Sequence, residues 1–165
     1  MKHWHEELPF NETDSLTALI FTENSLFFDI ETTGFSAART SLYLIGCAAR
    51  KEDQLIVDQF FAETPAEESD VLHAFFDYLK NFDTIITFNG IGFDIPYLTN
   101  KCQKHKIPEP FSSYKYVDIY KMISGFRFLF ALPNLKQKTV EQFLGLERED
   151  MYNGGELIEV YQSYQ

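Results

Sequence analysis

The sequence predicts an α/β fold in which a mixed five-stranded sheet carries helices on its faces. The chain of 165 residues is 45% hydrophobic and 16% aromatic, which is enough for one sizeable core. Its patterns run in the order three strands, helix, strand, helix, strand. A helical crossover precedes the fourth strand, which should therefore lie parallel beside the first. No repeat or linker divides the chain, so we expect a single domain over residues 1–165.

The first three strands follow a lead-in of about 24 residues for which no element is predicted. Residues 26–31 are a short apolar run that ends in acids and is followed by Thr33-Gly34, a turn signal. Residues 42–49 and 54–61 are two further strand patterns. The polar residues 50–53 between them predict a tight antiparallel hairpin.

Helical and strand patterns alternate through the rest of the chain. Apolar side chains recur at three- and four-residue spacing over residues 67–79, which predicts a helix with acids near its start. A β-branched run at 84–88 predicts a buried strand, and Pro96 opens a helix to residue 104. The predicted strand order, numbered along the chain, is 3-2-1-4-5. The remaining predictions are a strand at 114–119 and helices at 120–124, 135–144 and 156–164.

Composition narrows the class of protein. No apolar run reaches the ~20 residues that a membrane span needs, and the amino terminus lacks a secretion signal. We therefore expect a cytoplasmic protein with no membrane association. Cys47 and Cys102 form no Cys-x-x-Cys pair, which predicts reduced thiols and no zinc, although a disulfide between them stays open.

Charge is unevenly distributed along the chain. The net charge is −11, but residues 101–140 hold eight basic and two acidic residues, so that segment is +6 and the rest is −17. Lys101, Lys104 and Lys106 are candidate contacts to a polyanion. Aromatic residues interleaved with these bases could stack on bases, and the alternative is a solvated surface.

Two acids end the first predicted strand. Asp29 and Glu31 should point to one face, about 7 Å apart along the backbone, while Phe28 and Ile30 point to the other. Acids at the end of an apolar strand are costly to bury unless they are paired or bind a cation. The alternative is a solvent-facing strand edge.

A third acid follows the fourth predicted strand. Asn89-Gly90-Ile91-Gly92 turns the chain and leads through Phe93 to Asp94. If the fourth strand lies beside the first, this turn brings Asp94 to the end of the sheet that carries Asp29 and Glu31. Taken alone, Asp94 could instead cap the helix that follows.

Together the motifs resemble a known family. The segments Phe28-Asp29-Ile30-Glu31-Thr32-Thr33-Gly34 and Phe88-Asn89-Gly90-Ile91-Gly92-Phe93-Asp94 resemble the first two motifs of the DEDD superfamily of 3′–5′ exonucleases. With Val117-Asp118-Ile119-Tyr120 and Leu146-Glu147-Arg148-Glu149-Asp150, they look most like a YprB-type ribonuclease-H-like domain. The resemblance runs from about Ser25 to the end of the chain.

The resemblance implies hydrolysis of nucleic acid from a free 3′ end with two Mg²⁺ or Mn²⁺ ions. By motif position, Asp29 would bridge both ions, Glu31 would hold the ion on the nucleophile side, and Asp94 would hold the other. Thr33, Gly34 and Phe35 would contact the terminal nucleotide, and Asn89 would also bind substrate. A packed core position for Phe35 stays open, and no stable protein partner is inferred.

The family's fourth carboxylate has no clear counterpart. It normally follows a His or Tyr by a few positions on a late helix, and in YprB-type sequences it lies in a His-Asn-x-x-Asp motif, which the sequence lacks. Asp118 and Asp150 are possible additional acids, and Glu156 lacks the expected partner. We therefore expect a domain without its C-terminal helix and with little activity as it stands. The alternatives are a catalytically weak nucleic-acid-binding or regulatory domain, and a transferase or endonuclease on the same fold.

Overall fold

The computed structural model describes residues 1–11, 15–146 and 154–164. The strands are β1 (Lys2–Pro9), β2 (Ser25–Thr32), β3 (Leu42–Lys51), β4 (Gln54–Phe61), β5 (Thr84–Thr87) and β6 (Lys115–Asp118). The helices are α1 (Ser15–Ile20), α2 (Glu68–Leu79), α3 (Asp94–His105), α4 (Ile119–Ser124), α5 (Arg127–Phe130), α6 (Gln137–Phe143) and α7 (Gly154–Tyr164). Single 3₁₀ turns lie at Pro65–Glu67 and Phe111–Ser113.

The strands form one mixed sheet in the order β1-β4-β3-β2-β5-β6. β2 pairs antiparallel with β3 and parallel with β5, and β5 pairs parallel with β6. The predicted order of five strands and the parallel placement of the fourth beside the first are therefore confirmed.

The sheet has a sixth strand that the sequence did not predict. β1 pairs antiparallel with β4 along its whole length, yet all eight of its residues are exposed. An edge strand held by backbone hydrogen bonds does not need the apolar alternation by which strands are recognised. Near its start, Lys2 Nζ lies 2.7 Å from a Glu63 carboxylate oxygen and 3.0 Å from the Tyr164 hydroxyl of α7.

The core fills the face of the sheet covered by α2 and α3. Leu26, Phe28 and Ile30 alternate along β2 and are all buried, and the Phe28 ring lies 5.0 Å from that of Phe75 on α2. The apolar stripe of α2 is buried as its spacing predicts. The short helices α1 and α5 were not predicted. Cys47 and Cys102 are both buried and free.

β2 is longer than its parallel neighbour. β5 pairs only with residues 25–27 of β2, so the second half of β2 has no strand on that side. On its other side, the register with β3 shifts after Glu31, and Tyr43 is the extra residue of the resulting bulge. The half of β2 that carries the acids therefore has an irregular, partly open neighbourhood. None of the helices described here is long and apolar enough to cross a membrane.

Candidate active site

Asp29 and Glu31 lie on the face of β2 opposite the core. Asp29 is exposed and Glu31 is half-buried, whereas the intervening Ile30 is buried. The residue beside Asp29 on β3 is Gly46, and a Cβ built there would meet nothing within 4 Å. The space next to the Asp29 carboxylate is therefore open.

Asp94 occupies the gap left where β5 ends. It is the first residue of α3, and its Oδ1 accepts a hydrogen bond of 3.1 Å from the Ile30 amide of β2. The residue is only 4% exposed. The preceding Phe93 is the N-cap, and no side chain caps this helix. The alternative that Asp94 is a helix cap is therefore wrong, since its carboxyl joins α3 to β2 instead.

The carboxyls of Asp94 and Asp29 come together. Burial, followed by the negative charge of Asp29 and a hydrogen bond between the two carboxyl groups, raises the pKa of Asp94 to about 7. Hydrogen bonds from the amides of Asp94 itself and of Ile30 act on this pKa in the opposite direction. Two adjacent acids of which one is buried form a site that either holds a proton or attracts a cation.

Glu31 lies beside the side chain of Tyr43, a residue that the sequence motifs do not include. Burial, followed by the charge of Glu31, raises the pKa of Tyr43. The Tyr43 ring is stacked on Tyr161 of α7 with 4.3 Å between centroids. The bulge in β3 places Tyr43 beside Glu31. A bulge cannot be recognised from the alternation of apolar and polar residues along a strand. Within the described part of the chain, no three Asp, Glu, His or Cys side chains form a preassembled metal site.

Asp118 organises the turn that leads to Asp94. Its Oδ1 accepts hydrogen bonds from the amides of Asn89 (3.0 Å) and Lys121 (3.2 Å), and its Oδ2 accepts one from Ile91 (3.1 Å). Both oxygens of this buried carboxylate therefore hold backbone in place. Asn89 has a φ of 65°, so the turn passes through the left-handed region. Asp150 lies outside the described residues, and Glu156 is exposed on α7.

The turn after β2 presents an aromatic side chain to solvent. The Phe35 side chain is 92% exposed and makes an edge contact with the Phe93 ring at 6.0 Å, so the alternative of a core position is wrong. Gly34 has a φ of 150°, and a Cβ there would lie 2.9 Å from Thr40 Cγ2. The Thr33 hydroxyl accepts a 2.8 Å hydrogen bond from the Ser41 amide, which closes the loop. A cavity of about 330 Å³ lies between Phe35 and the start of α3.

The basic side chains at 101–106 do not form one nucleic-acid-binding surface, contrary to the charge pattern. Lys101 is fully buried, with its Nζ 2.7 Å from Glu68 Oε1 and bonded to the Thr40 carbonyl. Lys104 Nζ and His105 Nε2 lie 2.9 Å and 2.7 Å from Glu68 Oε2. Because Glu68 lies 33 or more residues earlier, the local sequence could not show that these bases have an acidic partner. We call Glu68, Lys101, Lys104 and His105 the Glu68 cluster.

A family model for the RNase_H superfamily matches residues 26–165. The chain belongs to the RNase_H superfamily. The match begins in β2, the strand that carries Asp29 and Glu31, and leaves out β1 and α1. It confirms the ribonuclease-H-like fold that the motifs indicated. A comparison with curated protein sequences returned no match.

Solved structures with a similar fold include a DNA polymerase and exonuclease I. A family B DNA polymerase from the hyperthermophilic archaeon Pyrobaculum calidifontis aligns over 84% of this chain with a TM-score of 0.67 and 20% identity. A product-bound exonuclease I aligns over 85% with a TM-score of 0.61 and 13% identity. E. coli exonuclease I in complex with a dA16 oligonucleotide aligns over 85% of this chain with a TM-score of 0.55 and 16% identity. This chain covers 21%, 42% and 40% of those chains, respectively, so the similarity concerns the fold of one part of each.

Proposed function

We propose that this RNase_H superfamily member is a metal-dependent 3′–5′ exonuclease that acts on nucleic acid. The observation that carries the proposal is the pairing of buried Asp94 with Asp29 at the end of β2, where burial and the Asp29 charge raise the pKa of Asp94 to about 7. A divalent cation would compensate the two adjacent negative charges of such a pair.

The donor set fits a hard cation such as Mg²⁺ or Mn²⁺, because it consists of carboxylate oxygens. Asp29 and Asp94 would hold one ion, and Asp29 together with Glu31, two residues further along the same face, would hold the second. When bound, such ions supply a metal-activated water and stabilise the leaving oxygen. The Ile30 amide fixes one oxygen of Asp94, and Asp118 holds the turn before it, so the protein orients this carboxylate in advance.

The neighbouring loop suits the end of a nucleic-acid strand. Phe35 offers an exposed ring on which a terminal base can stack, and the cavity beside it reaches Tyr97 and Asn100 of α3. Thr33 and Gly34 hold the loop that carries this ring. Asn89 is exposed on the turn that precedes Asp94 and can donate or accept a hydrogen bond.

A catalytically weak nucleic-acid-binding domain is the second candidate. Two observations favour it: both Asp118 oxygens accept backbone amides, and Glu31 lies against the buried Tyr43. In that case the fold and the exposed Phe35 would serve binding, while the acids would hold metal too weakly for hydrolysis.

The deciding experiment combines Mn²⁺ titration by calorimetry with cleavage of a 5′-labelled single strand. Wild-type protein should bind Mn²⁺ and shorten the strand from its 3′ end, and Asp29→Asn should lose both. Asp77→Asn is the matched control, because Asp77 is an exposed carboxylate paired with Lys80. Metal binding without cleavage would favour the second candidate. Cleavage of a circular single strand would rule out an exonuclease.

A further inference from the structure

A second cavity, of about 490 Å³, lies on the other side of the turn that leads to Asp94. Phe88 and Asn89 at the end of β5 form one wall, Tyr120 of α4 and Arg127 of α5 form another, and Lys136 and Gln137 at the start of α6 close it. We call this cavity the α4–α6 cleft. Its volume lies within the range of about 300–1,000 Å³ typical of ligand pockets.

The α4–α6 cleft is positively charged in a strongly acidic protein. Arg127 and Lys136 are both exposed in its lining, and none of the lining residues within the described part of the chain is acidic, whereas the whole chain has a net charge of −11. An arginine guanidinium binds phosphate oxygens in a bidentate manner, and a lysine adds a mobile positive charge. The cleft is therefore suited to a phosphate-bearing ligand.

Two aromatic side chains give the α4–α6 cleft a second feature. The rings of Phe88 and Tyr120 meet edge to face at 6.1 Å, and both are partly exposed. The side-chain amide of Asn89 lies in the same lining and can bond to base edges, whereas Gln137 Nε2 donates to Glu141 Oε1 at 2.8 Å. Cations that contact phosphates, together with rings that contact bases, are the combination found in sites for unpaired nucleic-acid strands.

The α4–α6 cleft is joined rigidly to the candidate active site. The amides of Gly92 and Phe93 donate to the Asn89 carbonyl at 3.0 and 3.1 Å, so one tight turn separates the cleft from the cavity beside Phe35. Asp118 holds this turn and also the first turn of α4. The two cavities therefore flank a fixed turn that ends at Asp94.

We propose that the α4–α6 cleft binds the nucleotides that precede the 3′ terminus of a single strand. The proposal rests on the proposed function, in which the terminal nucleotide lies between Phe35 and the Asp29–Asp94 pair. Arg127 and Lys136 contact backbone phosphates, and Phe88 and Tyr120 contact base faces. Since stacking on these rings needs unpaired bases, the cleft selects single strands over duplexes.

The test measures binding without metal, so that it does not depend on hydrolysis. Fluorescence anisotropy in EDTA at several KCl concentrations compares a labelled 20-nucleotide single strand with its duplex. In the double variant R127A/K136A, the slope of log affinity against log salt should fall by about 1.4, at about 0.7 per lost phosphate contact on a single strand. Tyr120→Ala should weaken single-strand binding by about tenfold.

The matched control is K51A/K80A, which also removes two exposed positive charges. Lys51 and Lys80 lie near the end of the sheet at which β2 begins, away from Asp29. The proposal expects this control to keep the wild-type slope. Equal losses in both double variants would mean that total charge alone governs binding, and unchanged binding in R127A/K136A would exclude the cleft. Duplex binding as tight as single-strand binding would overturn the strand selection.

The two proposals fail separately. Loss of single-strand binding in R127A/K136A, combined with no Mn²⁺-dependent cleavage by wild-type protein, would support the cleft and reject the exonuclease. Cleavage by wild-type protein and an unchanged KM in R127A/K136A would support the exonuclease and reject the cleft.

Discussion

Two buried carboxyl groups of this protein have opposite electrostatic surroundings. Asp94 is 4% exposed and Glu68 is 0% exposed. Burial and the charge of Asp29 raise the pKa of Asp94 to about 7. Burial would also raise the pKa of Glu68, but hydrogen bonds from His105, Lys101, the Leu42 amide and Lys104 lower it to about 2.

The difference between the two carboxyl groups distinguishes a structural ion-pair cluster from a candidate ligand site. In the Glu68 cluster, the cationic partners come from α3, so the charge is compensated inside the fold. The Asp94 carboxyl accepts hydrogen bonds from the Ile30 amide and from its own amide and lies beside the acid Asp29, and a proton or an added cation would relieve the repulsion between the two acids. A buried acid whose compensation must come from outside is a candidate ligand site, whereas a buried acid compensated within the chain is part of the scaffold.

The strongest test of this comparison is Glu68→Ala. It leaves Lys101 buried without its carboxylate and should lower the free energy of unfolding by about 3–5 kcal/mol. Urea denaturation at pH 7 measures this loss. The paired replacement E68L/K101M removes both buried charges and should recover most of it. A loss below about 1 kcal/mol in Glu68→Ala would mean that the cluster is not structural.

The pH dependence should have opposite signs at the two sites. The folded pKa of Glu68 lies below its unfolded value, so its contribution is present above pH 4.5 and is lost as the pH falls towards 2, by about 3 kcal/mol. The folded pKa of Asp94 is raised, so metal-free stability is lost as the pH rises from about 4 through 7. Glu68→Gln should remove the loss of stability between pH 4.5 and 2, and Asp94→Asn should remove the loss between about pH 4 and 7. Denaturation of both variants across both pH ranges measures these two changes. Identical pH profiles for both variants would contradict the comparison.

The next largest effect concerns Asp94→Asn in the absence of metal. Its side-chain oxygen can still accept from the Ile30 amide, while the repulsion with Asp29 disappears. We expect a gain of about 2 kcal/mol at pH 8 in EDTA, together with loss of Mn²⁺ binding. Thermal unfolding with and without Mn²⁺ measures both. A destabilised variant would show that the Asp94 carboxylate has a structural role, like that of Glu68.

The smallest effect is expected for Lys104→Ala. Lys104 and Lys101 contact the same carboxylate, but the Lys104 side chain is 54% exposed and that of Lys101 is 1% exposed. Solvent screening should limit the loss in Lys104→Ala to about 0.2–1 kcal/mol. Urea denaturation of Lys104→Ala and Lys101→Ala side by side measures the free energy of unfolding that each variant loses. Equal losses would mean that burial does not set the strength of these ion pairs.

Much of the fold could be predicted because its central strands alternate or are continuously apolar. The acids Asp29, Glu31 and Asp94 stood out since they interrupt such patterns at strand ends. β1 was missed because its side chains are all exposed, and because its His3 and His5 contact Asp58, which lies more than 50 residues later in the sequence. The role of Tyr43 was missed because a bulge places it beside Glu31.

It was harder to predict from the sequence which charged side chains are buried, and with which partners. Lys101 was assigned to a possible nucleic-acid surface because charge along a sequence does not reveal a partner on another helix. Glu68 lies on α2 and Lys101 on α3, and only the packing of both helices on the sheet brings them within 2.7 Å. Asp118 was a possible additional acid by sequence, and its hydrogen bonds to three backbone amides could not be predicted because they depend on the turn geometry.

The contact between Lys2 of β1 and Tyr164 of α7 links residues 162 positions apart. This contact is polar and exposed, and β1 is held mainly by its pairing with β4 and by His3 and His5, whose ring nitrogens lie 2.7 and 2.9 Å from Asp58 Oδ1. In hydrogen-exchange terms, the amides of β1 should belong to the least protected unit of the sheet. Such local opening would expose the outer edge of β4 while β2, two strands further in, keeps its pairing with β3 and β5. The acids could therefore keep their arrangement in a molecule whose outermost strand is transiently detached.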